Sequence, residues 1–252
     1  NKRVIMINKI TVELDLPDSI RFQYLGSILH GVLMDYLPND IADQLHHEFA
    51  YSPLKQRIYY KSKKVIWEIV CMSDNLFKEI VKLFSSKNSL LLKYYQTNID
   101  IQSFQIEKIN VQNIMNQLLQ TEDLNRYVRL NIQTPMSFKY QSSYIIFPDV
   151  KRFFRSIMIQ FDAFFEEYKM YDKETLNFLE KNVNIVDYKL KSTRFNLEKV
   201  KIPSFTGEIV FKIKGPLPFL QLTHFLLKFG EFSGSGIKTS LGMGKYNIIS
   251  HG

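Results

Sequence analysis

The spacing of apolar residues divides the first half of the chain into an ordered series of strands and helices. From Met6 to Leu16, apolar and polar residues alternate, which is typical of a half-buried strand. The segment Pro17-Asp18-Ser19 ends that strand and offers a helix N-cap. The elements predicted after it are, in order, helices ending near Leu37 and spanning 40–49, strands over 57–61 and 65–72, a helix over 75–84 and a strand over 99–109. With one short extra helix, this order is β-α-β-β-α-β, the ferredoxin-like arrangement.

The second half of the chain repeats this order of elements without repeating the sequence. The predicted elements are a strand over 127–132, a helix over 149–168, strands over 184–197 and 207–214, a helix over 217–229 and a strand over 241–249. We therefore predict an α+β fold of two tandem ferredoxin-like (βαββαβ) domains. The first covers residues 6–124 and the second covers residues 125–252.

Composition and charge narrow the class of protein. The chain has 33 Lys and Arg against 25 Asp and Glu, a net charge of +8, which favours a polyanionic partner such as nucleic acid. Its 45% hydrophobic content excludes a disordered chain. No apolar run is long enough for a membrane-spanning helix and no signal peptide is recognisable, so we expect a cytoplasmic protein without a membrane partner. The single cysteine, Cys71, lies in an apolar strand and is expected to be buried, which leaves no disulfide framework.

Basic residues cluster in three places, and for each cluster taken singly the favoured interpretation is an ordinary solvated surface. Lys55 opens a lysine- and tyrosine-rich segment that extends to residue 64. The other two clusters lie at the start of a predicted helix and along a predicted strand, and they comprise Lys151, Arg152 and Arg155, and Lys189, Lys191 and Arg194. Their distribution adds some support for a nucleic-acid partner.

Half of the ten glycines lie between Gly230 and Gly244. Glycines permit positive φ angles and let backbone N–H groups approach an anion, so we predict a phosphate-binding segment. Its candidate residues are Gly234, Gly236, Lys238, Thr239, Ser240, Gly242 and Gly244. Neither G-x-G-x-x-G nor a Walker loop is present. The alternative interpretation is a capped helix followed by a bulged turn into the last strand.

Histidines are the other candidates for chemistry. His30 lies off the apolar stripe of its predicted helix, on the face that carries Gly26 and Ser27. His46 lies at the border of the apolar face of the next helix, and His47 points to its polar side. The reversal of the chain at Pro38-Asn39 could bring His30 and His46 together, although without other information the favoured interpretation is a pair of partly exposed histidines.

Two histidines with a nearby lysine or arginine would suffice for RNA cleavage without a metal. Such cleavage needs one group to deprotonate the 2′-hydroxyl, one to protonate the leaving 5′-oxygen, and a cation beside the charged phosphorane. Histidine titrates near neutral pH and suits both proton transfers. No H-E-x-x-H motif or acidic ligand cluster is present, so we expect no metal and no cofactor.

Several segments resemble the CRISPR-associated repeat-cleaving endoribonucleases that mature precursor CRISPR RNA. The resemblance covers nearly the whole chain from Met6. It rests on Tyr24-Leu25-Gly26-Ser27-Ile28-Leu29-His30-Gly31, on Leu45-His46 with Ser52-Pro53-Leu54-Lys55-Gln56, and on the glycine-rich stretch that ends Gly236-Ile-Lys-Thr-Ser-Leu-Gly242-Met-Gly244. The last segment is the most specific mark of that family, whose fold is a tandem pair of ferredoxin-like domains.

The resemblance implies metal-independent, general acid–base cleavage within CRISPR repeats, giving 5′-hydroxyl and 2′,3′-cyclic or 3′-phosphate ends. It places catalytic residues in the first domain, at His46, at His30 and at Lys55 as the nearest match to a lysine, with His47 able to exchange roles with His46. The glycine-rich segment of the second domain would contact RNA near the cut, and the segment with Lys189, Lys191 and Arg194 would hold the repeat stem.

Two alternatives stay open at the level of sequence. The chain could be a catalytically inactive RNA-binding subunit of a CRISPR ribonucleoprotein complex, in which case other CRISPR effector proteins would be partners. It could also be a protein-interaction scaffold with basic faces. A homodimer is a further arrangement that the sequence leaves open.

Overall fold

A computed structural model describes residues 5–47, 51–197 and 199–249, without the side chains of His46 and His47. Its strands are β1 Met6–Asp15, β2 Leu54–Lys61, β3 Lys64–Cys71, β4 Ser89–Leu92, β5 Thr97–Asn110, β6 Tyr127–Met136, β7 Phe138–Tyr140, β8 Ser143–Ile145, β9 Val183–Asn196, β10 Lys201–Ile213 and β11 Tyr246–Ile249. Its helices are α1 Leu25–Tyr36, α2 Asn39–His47, α3 Asp74–Ser86, α4 Val111–Gln120, α5 Val150–Phe164, α6 Lys173–Asn182 and α7 Leu217–Ser233. Short 3-10 turns cover Phe22–Tyr24 and Thr239–Leu241.

Two antiparallel sheets organise the chain. The first has the order β2-β3-β1-β5-β4 and the second has the order β11-β6-β10-β9. In both, the first strand of the β-α-β-β-α-β series lies at the centre, between the third and the fourth strands of that series. The predicted α+β class with two tandem ferredoxin-like arrangements is therefore confirmed.

The alternating pattern of the central strands decides which faces are buried. In β1, Ile10, Val12 and Leu14 face a core shared with α1 and α3, as the alternation predicted. Burial raises the pKa of the Cys71 thiol in that same core, which confirms the predicted buried cysteine. The second core lies between β6, β10, α5 and α7 and also takes in Ile7 from β1.

Several predicted boundaries are wrong. Helix α1 begins at Leu25 rather than near Ser19, because the N–H of Ile20 donates to Pro17 O (3.0 Å) and closes a turn. Helix α5 ends at Phe164, and β11 begins only at Tyr246 because the preceding residues belong to the glycine-rich segment. The helix predicted over 40–49 is α2, Asn39–His47, and the last two residues of that prediction lie outside the described residues.

Four features of the fold were not predicted. Strand β4 extends the first sheet at its edge, and α4 follows β5 directly. Helix α6 lies between α5 and β9, and β7 and β8 form a separate two-stranded hairpin. In the part of the chain that the structure describes, no helix combines the length and apolar character needed to cross a bilayer.

Candidate active site

The glycine-rich loop, residues 234–244, connects α7 to β11 through a series of left-handed backbone conformations. Gly234 ends α7 at φ 69°, and Gly236, Gly242 and Gly244 also have positive φ angles. The side-chain-free positions are needed for packing as well. A Cβ on Gly236 would lie 2.3 Å from Ser137 O, and one on Gly244 would lie 2.0 Å from Ser235 O. The capped-helix interpretation therefore explains much of the glycine content.

Several N–H groups of this loop are already bonded inside the protein. Gly236 N–H donates to Ser156 Oγ (2.9 Å), Ile237 N–H to Ser137 O (3.0 Å) and Gly244 N–H to Pro135 O (2.9 Å). These donors are not available to a phosphate, contrary to the expectation of a free backbone cradle. Instead they fix the loop, whose Lys238 side chain is exposed.

Helix α1 contacts the loop through Gly26. A Cβ on Gly26 would lie 2.3 Å from Leu241 O, so the helix approaches the loop backbone as closely as only glycine allows. Gln56 in β2 donates to Gly26 O (2.7 Å) and accepts from the indole N–H of Trp67 (2.7 Å). His30, one turn beyond Gly26 in α1, is half-buried. The structure therefore places the helix that carries His30 directly beside the loop.

Two buried lysines lie beneath the loop. Lys55, only 2% exposed, donates from Nζ to Thr239 Oγ1 (2.9 Å), and its ammonium lies 5.5 Å from the ring centroid of Phe164. Lys245 is fully buried and donates to the carbonyl oxygens of Phe232 and, at 3.4 Å, of Glu231, near the end of α7.

Burial sets the protonation of both lysines. It lowers the pKa of Lys55 to about 7, with a smaller contribution from the charge of Lys245. It likewise lowers the pKa of Lys245 to about 7, opposed in part by Glu68 and Glu231. Neither ammonium is therefore fully protonated at neutral pH, which limits the charge buried beneath the loop.

The other two histidines lie at the end of α2. The backbone of His46 and His47 belongs to that helix, but their side chains lie outside what the structure describes. The helix ends four residues before Tyr51, which lines a depression at the loop. Whether the imidazoles of His30 and His46 meet stays a prediction.

Two depressions border the glycine-rich loop. The smaller, about 210 Å³, is lined by Gln23, Gly26, Gly242 and Arg194 among others. The larger, about 560 Å³, is lined by a second set of residues that joins the first half of the chain to α5 and the β7–β8 hairpin, namely Tyr51, Ser52, Lys55, Phe138, Lys139, Tyr144, Arg152, Arg155, Ser156, Gln160, Gly236, Ile237, Lys238, Thr239 and Ser240.

The predicted basic residues are only partly brought together at the loop. Arg152 and Arg155 line the larger depression and Arg194 lines the smaller one. Lys189 and Lys191 are exposed farther along β9. Lys151 instead pairs with Glu180 of α6 (2.7 Å).

Within the loop itself, the predicted residues divide by burial. Lys238 is exposed, and Gly236 and Ser240 are half-buried. The remaining predicted loop residues are buried and shape the turn; they are Gly234, Thr239, Gly242 and Gly244.

Sequence reasoning missed residues that support this site. In the sequence, Gln56 and Trp67 look like ordinary strand residues. A polar residue such as Gln56 in an apolar strand is nevertheless a signal that a buried hydrogen bond is required. No sequence pattern indicates that Lys245 is buried. Among the described residues, no three His, Cys, Asp or Glu side chains come together in an arrangement that could hold a metal ion.

The family profile and the relatives that match this chain carry the same description. The family profile described as "CRISPR-associated endoribonuclease Cas6" matches residues 130–246. A CRISPR-associated endoribonuclease Cas6 from Streptococcus thermophilus is 29% identical over 226 residues, covering 88% of this chain and 90% of that protein. One from Mycobacterium tuberculosis is 28% identical over 243 residues, covering 95% of this chain and 76% of that protein.

Solved structures share the fold. Thermus thermophilus Cas6 superposes with a TM-score of 0.75 at 17% identity, covering 97% of this chain and 98% of that one. A product complex of that Cas6 gives a TM-score of 0.79 at 18% identity, covering 97% and 100% of the two chains.

Proposed function

Because this chain belongs to the CRISPR-associated endoribonuclease family Cas6, we propose that it cuts precursor CRISPR RNA within the repeats. The observation that carries this proposal is the contact of Gly26 with Leu241 O. It joins the helix of His30 to the glycine-rich loop, which supports a site that combines a group able to transfer protons with an RNA-contacting segment.

The proposed reaction is an internal transesterification. One imidazole, from His30 or His46, removes the proton of the 2′-hydroxyl, and the 2′-oxygen attacks the adjacent phosphorus. The bond from phosphorus to the 5′-oxygen breaks, and the other imidazole gives that oxygen a proton. The products are a 2′,3′-cyclic phosphate and a 5′-hydroxyl, and water can open the cyclic phosphate to a 3′-phosphate. No metal is needed for any of these steps.

The charge of the phosphorane would be met by cations at the loop. Lys238 is exposed and can reach a phosphate directly. Lys55 donates to Thr239, so its contacts favour an action through the loop. We therefore assign Lys55 as a positioning residue for the turn of Thr239 and Ser240, and a direct contact of Lys55 with RNA stays a prediction.

The RNA path would follow the exposed basic residues. Arg194 borders the depression beside Gly26, and Lys189 and Lys191 continue along β9 from there. A repeat stem lying along β9 would therefore place its end at the loop. Structures of related proteins are described as Cas6 complexes with a product or a substrate mimic, which supports a repeat RNA as the partner. Dimer formation and contacts with other CRISPR proteins stay predictions.

The proposal is tested with the CRISPR repeat RNA of the host in excess EDTA, followed by end-group analysis. We expect a 5′-hydroxyl and a cyclic or 3′-phosphate, and no cutting of RNA with a 2′-deoxy group at the scissile nucleotide. His30→Ala and His46→Ala should each greatly reduce cutting while binding changes by only a few fold. His47→Ala should cut normally, and the reverse result for His46 and His47 would exchange their roles.

The same assay separates the alternatives. Tight binding with RNA intact after long incubation would favour the inactive RNA-binding subunit over the nuclease. Binding that does not weaken as salt rises would favour a protein scaffold, because phosphate contacts release counterions and are salt-sensitive. Cleavage that requires an added divalent metal would contradict the proposed mechanism.

A further inference from the structure

The larger depression at the glycine-rich loop has a wall that the proposed reaction does not use. This wall is formed by the β7–β8 hairpin and the first turns of α5, and it carries Lys139, Tyr144, Arg152 and Arg155. We call these four residues the hairpin wall. The hairpin itself lies outside the β-α-β-β-α-β series, so the fold does not require it for either main sheet.

An aromatic ring is exposed at this depression, and a second, half-buried one lines it. Tyr144 is 37% exposed and lies opposite Lys139 in the hairpin register, with the ammonium of Lys139 5.9 Å from the ring centroid. Tyr51 from the first half of the chain lines the same depression. An exposed tyrosine ring flanked by a cation is a suitable surface for stacking an unpaired base.

The charge of the depression is positive. Arg155 and Lys238 are exposed, and none of its described lining residues is acidic. The guanidinium of Arg152 lies 4.5 Å from the ring centroid of Tyr140 and pairs with Asp149 (2.5 Å), which holds it in place. Lys139 is the cation placed at the ring of Tyr144, while Arg155 lines the same depression with its guanidinium 5.9 Å from the ring centroid of Tyr171.

The hairpin wall is fixed relative to the loop. Ser137, which begins the hairpin segment, accepts from Ile237 N–H (3.0 Å), and Ser156 of α5 accepts from Gly236 N–H (2.9 Å). A Cβ on Gly236 would clash with Ser137 O, so hairpin and loop are in direct contact. A nucleotide bound at the wall would therefore lie beside the loop residues that we place near the scissile phosphate.

We propose that the hairpin wall binds an unpaired nucleotide of the repeat next to the cleaved linkage, with its base stacked on Tyr144 and its phosphates near Arg155 and Lys139. The nucleotide must be unpaired, because a base within a stem has both faces covered by its neighbours. This subsite rests on the proposed function. It adds a binding subsite for single-stranded RNA to the stem contacts proposed for β9.

The test uses repeat RNA with a 2′-deoxy group at the scissile nucleotide and 2-aminopurine placed, in turn, at each position flanking the cut. We expect binding to change the 2-aminopurine fluorescence at one of these positions in the wild type and in Tyr144→Phe, and not in Tyr144→Ala. Base–aromatic stacking predicts a roughly tenfold weaker Kd for Tyr144→Ala and a change within about twofold for Tyr144→Phe.

Two controls keep the result specific. Tyr94→Ala removes another exposed tyrosine, which lies between β4 and β5, and should bind as the wild type does. An abasic site at the responding position should weaken binding by the wild type about as much as Tyr144→Ala does, with little further loss when the two are combined.

The outcomes separate the subsite from the function. If the wild type binds and cuts the repeat but Tyr144→Ala matches Tyr144→Phe in Kd and fluorescence, the subsite is wrong and the nuclease stands. If the wild type neither binds nor cuts the repeat, both proposals fail. A loss of folding in Tyr144→Ala is detected by its Tm, and the abasic RNA then decides with the wild-type protein alone.

Discussion

Gly26 shows how a single residue determines the proposed site. Its Cα hydrogen faces the carbonyl of Leu241, and its own carbonyl accepts from Gln56. In an α-helix the same carbonyl also accepts from the N–H of His30. The sequence placed Gly26 only on the same helix face as His30, because the segment that packs against that face comes from residues more than 200 positions away.

The glycine pair of α1 gives a matched test. Gly26→Ala should displace the loop and cost about 1–3 kcal/mol of stability, as overpacking does. A displacement near 1 Å at the site is expected to lower the cleavage rate about 100-fold. Gly31→Ala should instead raise stability by about 0.5–1 kcal/mol and cut normally, because a Cβ there meets nothing within 4 Å. Denaturant unfolding measures the stability of each variant, and single-turnover cleavage measures its rate. Equal behaviour of Gly26→Ala and Gly31→Ala would contradict the contact between Gly26 and the loop.

Lys55 is the second residue whose environment has a measurable consequence. Its pKa is lowered to about 7 in the folded chain, whereas an unfolded lysine has a value near 10.5. Between these values the unfolded state binds more protons, so the contribution of Lys55 to stability becomes more favourable as pH rises from 7 towards 10. Below pH 7 the full cost of burying the ammonium is present.

Lys55→Met should therefore change the pH dependence of unfolding. The free energy of unfolding should rise more steeply with pH in the wild type than in the variant, so that any advantage of the variant shrinks between pH 7 and pH 10. Urea unfolding at several pH values measures the difference. An advantage that grows with pH would show that Lys55 is not held in a desolvated site.

At the scale of elements, strand β2 connects the site to the rest of the first sheet. Lys55 contacts the loop, and the adjacent Gln56 links Trp67 of β3 to α1. A buried amide with both of its groups bonded rigidifies its neighbours, whereas loss of one partner leaves an unsatisfied donor or acceptor.

A double-mutant cycle tests this connection. Gln56→Leu leaves the indole N–H of Trp67 buried without a partner and should cost about 1–3 kcal/mol. Trp67→Phe removes that donor, so Gln56→Leu should cost less in its presence. Strictly additive unfolding free energies would show that the two side chains do not interact.

Apolar periodicity predicted some of the strands and helices and missed others. The strands and helices with clear periodicity were predicted, since burial on one face imposes the spacing. The β7–β8 hairpin was missed because its turn uses Gln141 and Ser142 at positive φ, where the usual sequence signal is Asn or Gly. Helix α6 did carry a signal, since Asp172 accepts from Thr175 N–H (2.7 Å) as an N-cap.

At the scale of the whole molecule, polar contacts join the two sheets. Arg57 of β2 donates to Gln133 of β6 and to Asn247 of β11 (2.8 Å), and pairs with Glu68 of β3 (2.7 Å). The order of elements predicted the tandem fold. It could not predict this junction or the meeting of loop and α1, because such contacts depend on single residues without periodicity.

Arg57→Met should destabilise the protein by about 3 kcal/mol or more, because it leaves Glu68, whose side chain is 5% exposed, without its cationic partner. Arg129→Met is the matched control. Its pair with Glu208 is partly exposed, so its loss should cost at most about 1 kcal/mol. Denaturant unfolding compares the two, and an Arg57→Met variant as stable as Arg129→Met would contradict the role of the junction.

The most direct measurement of the central claim is photo-crosslinking at the scissile linkage. A repeat RNA with a 2′-deoxy group and a photoreactive nucleotide at the cut would be irradiated in complex with the protein, and the crosslinked peptides identified by mass spectrometry. We expect crosslinks both to the segment from Gly26 to His47 and to the glycine-rich loop. Crosslinks confined to one of these segments, or to neither, would show that the helices and the loop do not act on the same phosphate.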